Sequence, residues 1–162
     1  MVTRPLITAA AVPSGDYRLR VAVMDTTGLR GTVDYEFKAG LTQYGPLTFA
    51  SLMAGALENT TFRPRLTFRP LDGGVAAYLE FYGTLPSGAV LSARVEIAQS
   101  ENGPALASAP GSVLGAAEAT RFVATGGVPL TGLGPGDYLL RVVISVNDKP
   151  VGQATRTIRK LS

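Results

Sequence analysis

The chain has 162 residues, material for one ordinary domain and part of another, because domains cluster near roughly 100 to 150 residues. Hydrophobic residues make up 46% and charged residues 17%, a balance that supplies a core and excludes a disordered chain. The net charge of +3 is spread along the sequence instead of forming the basic patch of a nucleic-acid or membrane surface, and the absence of cysteine and histidine removes disulfides, thiolate and imidazole metal ligands and the usual general base near neutral pH.

In chain order, Leu6 to Val12 is apolar but interrupted by Thr8; it is too short to span a bilayer and lacks the organisation of an export signal. If the natural protein is exported, its signal lies upstream of Met1, and a periplasmic or extracellular location depends on that signal. From Val12 to Ala39 the sequence reads as a strand, a turn at Thr26, Thr27 and Gly28, and a second strand. Residues 39–45 read as a linker. Leu47 to Glu58 is rich enough in alanine and leucine for a short helical turn to stand as a secondary alternative to strand. Thr61 to Pro70 repeats Phe-Arg-Pro, puts Phe62, Leu66 and Phe68 on one strand face, and with Pro64 and Pro70 marks a sheet edge.

Beyond a turn at Gly73-Gly74, Ala77, Leu79 and Phe81 alternate with Tyr78, Glu80 and Tyr82, and Leu91, Ala93, Val95 and Ile97 alternate with Ser92, Arg94, Glu96 and Ala98. The first set of each strand faces a core and the second faces outward, as in antiparallel layers wet on one side. Ala105 to Thr120 holds Pro110, Gly111 and Gly115, which break a helix, so the segment reads as strand, turn, strand. Gly126-Gly127 reads as a further turn. Tyr138, Leu140, Val142 and Ile144 form the last clear inward face, and Val146 to Pro150, with Asn147 and Asp148, the last turn.

An internal repeat organises these elements. Shifting Val12 to Ala39 by 121 positions places it on Leu133 to Lys160 and aligns Gly15, Asp16, Tyr17, Leu19, Arg20, Val21 and Gly31 with identical residues. The separation suits one whole sandwich domain repeated in tandem and not a solenoid. A lone two-stranded hairpin is marginal in water, so residues 1–38 require a partner sheet. The expected fold is all-β: an antiparallel immunoglobulin-like β-sandwich over residues 46–162, with an additional N-terminal β-hairpin, residues 1–38, that closes a preceding, incomplete module.

The segment Leu-Gly-Pro-Gly-Asp-Tyr-Leu-Leu-Arg-Val at Leu133 to Val142 resembles the entry to the penultimate strand of immunoglobulin-like and fibronectin-type-III-like modules. That resemblance implies that Tyr138, and through the repeat Tyr17, caps a sandwich corner by bonding back to nearby backbone. Paired cysteines and a core tryptophan are absent, which excludes the antibody type. More broadly, the two closures resemble the C-terminal tandem β-sandwich region of large bacterial von Willebrand factor A-related proteins, which implies an exported or envelope setting. In the first closure Pro13-Ser14-Gly15 stands in place of Pro-Gly, and the metal-ion-dependent adhesion motif is not in this sequence.

The chemistry-bearing residues point away from catalysis. Glu80 and Glu96 lie on outward faces that supply no cleft for paired acid and base work, and Asp72, Asp137 and Asp148 are isolated. No catalytic residue, cofactor or metal site is expected. The reading is a non-catalytic interaction or spacer module whose partners are neighbouring domains of the same polypeptide and another protein, with no membrane span and no nucleic acid. The first alternative is a carbohydrate-binding accessory module on Tyr78 and Tyr82. The second is a weak polyanion surface at Arg63, Arg65 and Arg69, where arginines interleave with aromatic rings.

Overall fold

The computed structural model describes residues 12–58, 61–115 and 120–162. The apolar stretch Leu6 to Val12 therefore lies, Val12 apart, outside the described residues, as do residues 116–119 of the Ala105 to Thr120 segment. The described residues form thirteen strands in chain order: β1 (Gly15–Met24), β2 (Arg30–Ala39), β3 (Thr42–Tyr44), β4 (Leu47–Phe49), β5 (Met53–Glu58), β6 (Thr61–Pro64), β7 (Thr67–Phe68), β8 (Gly74–Gly83), β9 (Leu91–Ala98), β10 (Ala105–Leu114), β11 (Arg121–Pro129), β12 (Gly136–Val146) and β13 (Lys149–Lys160). Among the described residues there is no helix. The chain divides into two compact units, Met1–Leu41 and Thr42–Ser162.

The first unit holds one antiparallel ladder, β1 on β2, running without a break from Gly15↔Ala39 to Met24↔Arg30. Strand alternation sorts its side chains completely. One face carries Tyr17, Leu19, Val21 and Val23 opposite Phe37, Tyr35, Val33 and Gly31; the other carries Arg18 on Glu36 at 2.6 Å and Arg20 on Asp34 at 2.8 Å. The connecting turn is held by Asp25, whose carboxylate accepts from the Thr27 amide and hydroxyl and from the Leu29 amide, while Gly28 sits at φ +88°. Asp25, an Asx-type anchor, is the turn residue that the reading of Thr26, Thr27 and Gly28 omits.

The second unit is an eleven-stranded sheet in the order β3-β4-β8-β11-β10-β9-β12-β13-β7, with β5 beside β8 and β6 beside β5. Every pairing is antiparallel except the short one between β13 and β7. The sheet curls on itself, because β10 changes partner along its length: Ala105 to Gly111 pair with β9, and Ser112 to Leu114 pair with β11. The inner faces then meet in one core of Phe49, Phe68, Leu79, Phe81, Val95, Ile97, Leu140, Ile144 and Ile158, all essentially removed from water. The rings of Phe49, Phe81 and Phe122 run through it with centroids 5.6 and 5.3 Å apart.

Several local expectations give way to this arrangement. Leu47 to Glu58 is two strands, β4 and β5, laid end to end along β8, so its apolar residues serve a sheet face and not a helical stripe. Pro110-Gly111 is no turn; it lies within β10 where that strand leaves β9 for β11. Gly126-Gly127 is no turn either but the middle of β11. A Cβ on Gly126 would stand 2.7 Å from Val95 Cγ2 and 3.1 Å from Gly111 Cα, so glycine there permits the close crossing of β10 and β11. Phe62, Leu66 and Phe68 do not share a strand: Phe62 is on β6, Leu66 is exposed between strands, and Phe68 on β7 is buried. Thr42–Tyr44, within the stretch read as linker, forms β3 and pairs with β4.

Candidate functional site

The two repeated tyrosines make the same bond. Tyr17 Oη donates to the Pro13 carbonyl and Tyr138 Oη to the Gly134 carbonyl, each at 2.9 Å and each four residues back. The ladders agree as well. Gly15↔Ala39 through Val23↔Gly31 in β1–β2 correspond, pair for pair at the offset of 121, to Gly136↔Lys160 through Ile144↔Gly152 in β12–β13. They part beyond that point. The second hairpin shifts register after Ile144 and closes on Asn147 (φ 50°) and Asp148 (φ 62°), a two-residue turn of the primed type. Lys160 adds a lock that no sequence signal marks: its buried ammonium donates to the carbonyls of Leu130 at 2.8 Å and Leu133 at 2.6 Å, just ahead of the Tyr138 corner.

Tyr78 and Tyr82 lie on the outer face of β8, half-buried and about 13 Å apart at the usual rise of a strand, so they do not form one platform. The Tyr78 ring packs on Phe62 with centroids 6.1 Å apart. The Tyr82 hydroxyl donates to Glu80 at 2.5 Å, and the Arg121 guanidinium from β11 bonds the same carboxylate. Arg121 first, and Tyr82 second, hold the Glu80 carboxyl below its ordinary range; Glu80 in turn raises the Tyr82 phenol. A carboxylate so held is a poor proton donor at neutral pH.

Glu96 lies elsewhere, with β11 and β10 between its strand and that of Glu80, so the two carboxylates form no pair. Nor does Glu96 face water. It is buried between Arg141, whose Nε donates at 2.7 Å, and Arg94, whose Nε donates at 2.5 Å. Arg141 also donates to the carbonyls of Glu101 and Gly103, which folds the β9–β10 turn over the outer face of the sheet. Alternation alone assigns both residues to a wet face; they are covered because Arg141, from a strand distant in sequence, pins the turn that follows β9 back over them.

Of the three arginines of Thr61 to Pro70, Arg63 and Arg65 face carboxylates with their side chains, while Arg69 is tied through its backbone amide and not its guanidinium. Arg63 stands 3.8 Å from Glu58, and Arg65 pairs with Asp72 at 3.0 Å while its guanidinium lies over the Phe68 ring at 4.8 Å. The Arg69 amide is bonded by the Asp72 carboxylate at 2.6 Å. An open cleft of about 570 Å3 beside them is lined by Glu58, Arg65 and Asp72 with Leu57, Leu71 and Val128. Two carboxylates to one guanidinium make it a poor polyanion site. Among the described residues no acidic group is clustered to hold a metal ion, and no helix is long and apolar enough to cross a membrane.

No protein-family model matches the sequence, and no curated protein matches it significantly.

Proposed function

We propose that this chain is a non-catalytic interaction or spacer segment of a larger, exported bacterial protein. In this reading residues 46–162 form an immunoglobulin-like, fibronectin-type-III-like sandwich and β1–β2 closes a related module of the kind found in von Willebrand factor A-related proteins. The observation that carries it is the equality of register between β1–β2 and β12–β13, with the same tyrosine bond in each. Two unrelated hairpins have no reason to share both one register and a tyrosine bonded to the carbonyl four residues back. The strand order adds support: β8 beside β11, and β9-β12-β13 beyond β10, match the B-E and C-F-G runs of such sandwiches.

The carbohydrate alternative draws only on Tyr82, Glu80 and Arg121, since Tyr78 is occupied with Phe62. The whole chain on a polysaccharide array and a heparin column tests all three readings. The expected result is no retention that depends on Tyr82 or on Arg63, Arg65 and Arg69. A glycan signal lost in Tyr82→Ala would replace the interaction reading with carbohydrate binding, and heparin retention lost on removing the three arginines would replace it with polyanion binding.

A further inference from the structure

The turn that follows β9 is built on Asn102–Gly103, a dipeptide whose own atoms react with each other when they meet. Ser100 to Gly103 form a tight turn, in which the Gly103 amide donates to the Ser100 carbonyl at 3.2 Å and Asn102 is exposed. Asn147, in the β12–β13 turn, is tied down instead: its side-chain carbonyl accepts from the Val90 amide at 2.9 Å and its own amide donates to the Val90 carbonyl at 2.8 Å.

Gly103 has no Cβ to shield its backbone nitrogen, so that nitrogen reaches the Asn102 side-chain carbonyl carbon when the peptide between them rotates. Attack forms the N–Cγ bond and breaks Cγ–Nδ2. The departing amide nitrogen takes the Gly103 proton and leaves as ammonia, and a succinimide ring remains. Water then opens either carbonyl of the ring. Opening at Cγ gives aspartate on an unaltered main chain; opening at the Asn102 main-chain carbonyl gives isoaspartate, in which the main chain runs through Cβ and Cγ and is one carbon longer.

That extra carbon falls between two carbonyls that a single side-chain nitrogen holds. Arg141 Nη1 donates to the Glu101 carbonyl at 2.7 Å and to the Gly103 carbonyl at 3.2 Å, while its Nε and Nη2 bond Glu96 at 2.7 and 2.5 Å. Gln153 Nε2 adds a bond to the Glu101 carbonyl at 3.2 Å. A longer main chain between the two carbonyls denies Arg141 both at once, and the turn lifts from Glu96 and Arg141, which are now only 4% and 8% exposed. Aspartate at the same position leaves the spacing of the carbonyls as it is.

We propose that Asn102–Gly103 is a self-modification site that converts to isoaspartate with loss of ammonia, and that the conversion releases the β9–β10 turn from Arg141. The Gly103 amide must leave the Ser100 carbonyl before its nitrogen attacks, so the folded turn paces the reaction without preventing it. The second unit thus carries a slow, one-way covalent change set directly over its buried ion pair. The site does not depend on the interaction-module reading.

The test ages the whole chain in warm, mildly alkaline buffer beside a synthetic peptide of residues 97–107. The tryptic fragment of residues 95–121 holds no other asparagine and no aspartate, so a gain of one mass unit in it reports Asn102 alone. That gain should appear about tenfold to a hundredfold more slowly than in the free peptide, as the bonds of the turn dictate. The fragment should then accept a methyl group from protein isoaspartate methyltransferase, used as a reagent, and Asn147 should be unchanged. The aged chain should unfold in urea with an equilibrium constant raised at least about fivefold over the fresh chain. Asn102→Gln, aged in the same way, should keep its stability, and Asn102→Asp, with the new charge on an unlengthened main chain, should match the fresh wild type. Three results would overturn the proposal: no mass gain after about a hundred half-lives of the free peptide, a gain that the methyltransferase does not recognise, or an aged chain as stable as aged Asn102→Gln.

Discussion

Arg141 on β12 and Glu96 on β9 form a buried ion pair at the centre of the covered outer face of the sheet, Nε to Oε2 at 2.7 Å, with the β9–β10 turn bonded over them. Glu96→Leu leaves the Arg141 guanidinium as an uncompensated buried charge, which costs about 3–5 kcal/mol, and urea denaturation should show a loss of that size. Arg141→Met should cost less, because Arg94 still pairs with Glu96. The double variant should recover most of the Glu96→Leu loss, because an apolar pair needs no desolvation. Additive losses in the double-mutant cycle would show that the pair does not act as a unit.

The two corner tyrosines separate ring burial from hydroxyl bonding. Tyr138→Phe removes a bond to the Gly134 carbonyl on a ring only 8% exposed, and should lower stability by about 1 kcal/mol in a thermal melt. Tyr138→Ala should cost about 3–5 kcal/mol through the vacated core volume. In the first unit Tyr17→Phe acts on an exposed hairpin and should leave the main melting transition unmoved.

These predictions also mark how far the sequence alone reaches. The alternation in Ala77 to Phe81 and Tyr138 to Ile144 is carried by residues whose neighbours lie two positions away, so it can be seen without a structure. The repeat at 121 is likewise local information, and it locates two hairpins that prove to share one register. What escapes is long-range. Glu96 is buried by a turn and by an arginine 45 positions on; Gly126 is glycine because of Val95 and Gly111; and Pro110-Gly111 punctuates a change of partner instead of a change of direction. The candidate surface fares no better, because the pairing of Arg65 with Asp72 and of Tyr78 with Phe62 depends on where short strands β6 and β7 attach.

The crossing of β10 and β11 should be sensitive to a single methyl group. Gly126→Ala brings its Cβ to 2.7 Å from Val95 and should destabilise the second unit by about 1–3 kcal/mol. Gly127→Ala meets nothing closer than the Val75 carbonyl at 3.6 Å and should be tolerated. Chemical denaturation of the two variants side by side checks the contrast, and equal losses would contradict the close approach.

Acid should weaken the second unit partly through Glu80. Its carboxyl is held low by Arg121 and Tyr82, so the stabilisation is complete above the unfolded value, roughly pH 4.3, and is lost as pH falls through the lower folded value. Proton titration followed by NMR should find the Glu80 midpoint below that of an ordinary glutamate, rising towards it in Arg121→Met. Glu80→Gln should flatten the acid limb of the stability profile, although Asp137, held low by Arg159, retains a share.

The parallel contact of β7 with β13 bears on what happens when the chain is pulled. Arg159 and Lys160 lie beside Thr67 and Phe68, and the amides of Arg159 and Leu161 donate to the carbonyls of Leu66 and Phe68. Tension along the polypeptide draws β7 towards its amino end and β13 towards its carboxyl end. Because the two strands point the same way, that motion slides one along the other and strains their hydrogen bonds together. The antiparallel β3–β4 hairpin, drawn apart from its open end, would instead unzip one bond at a time. Under the proposed spacer role, the last strand sits behind a lock that tension must shear.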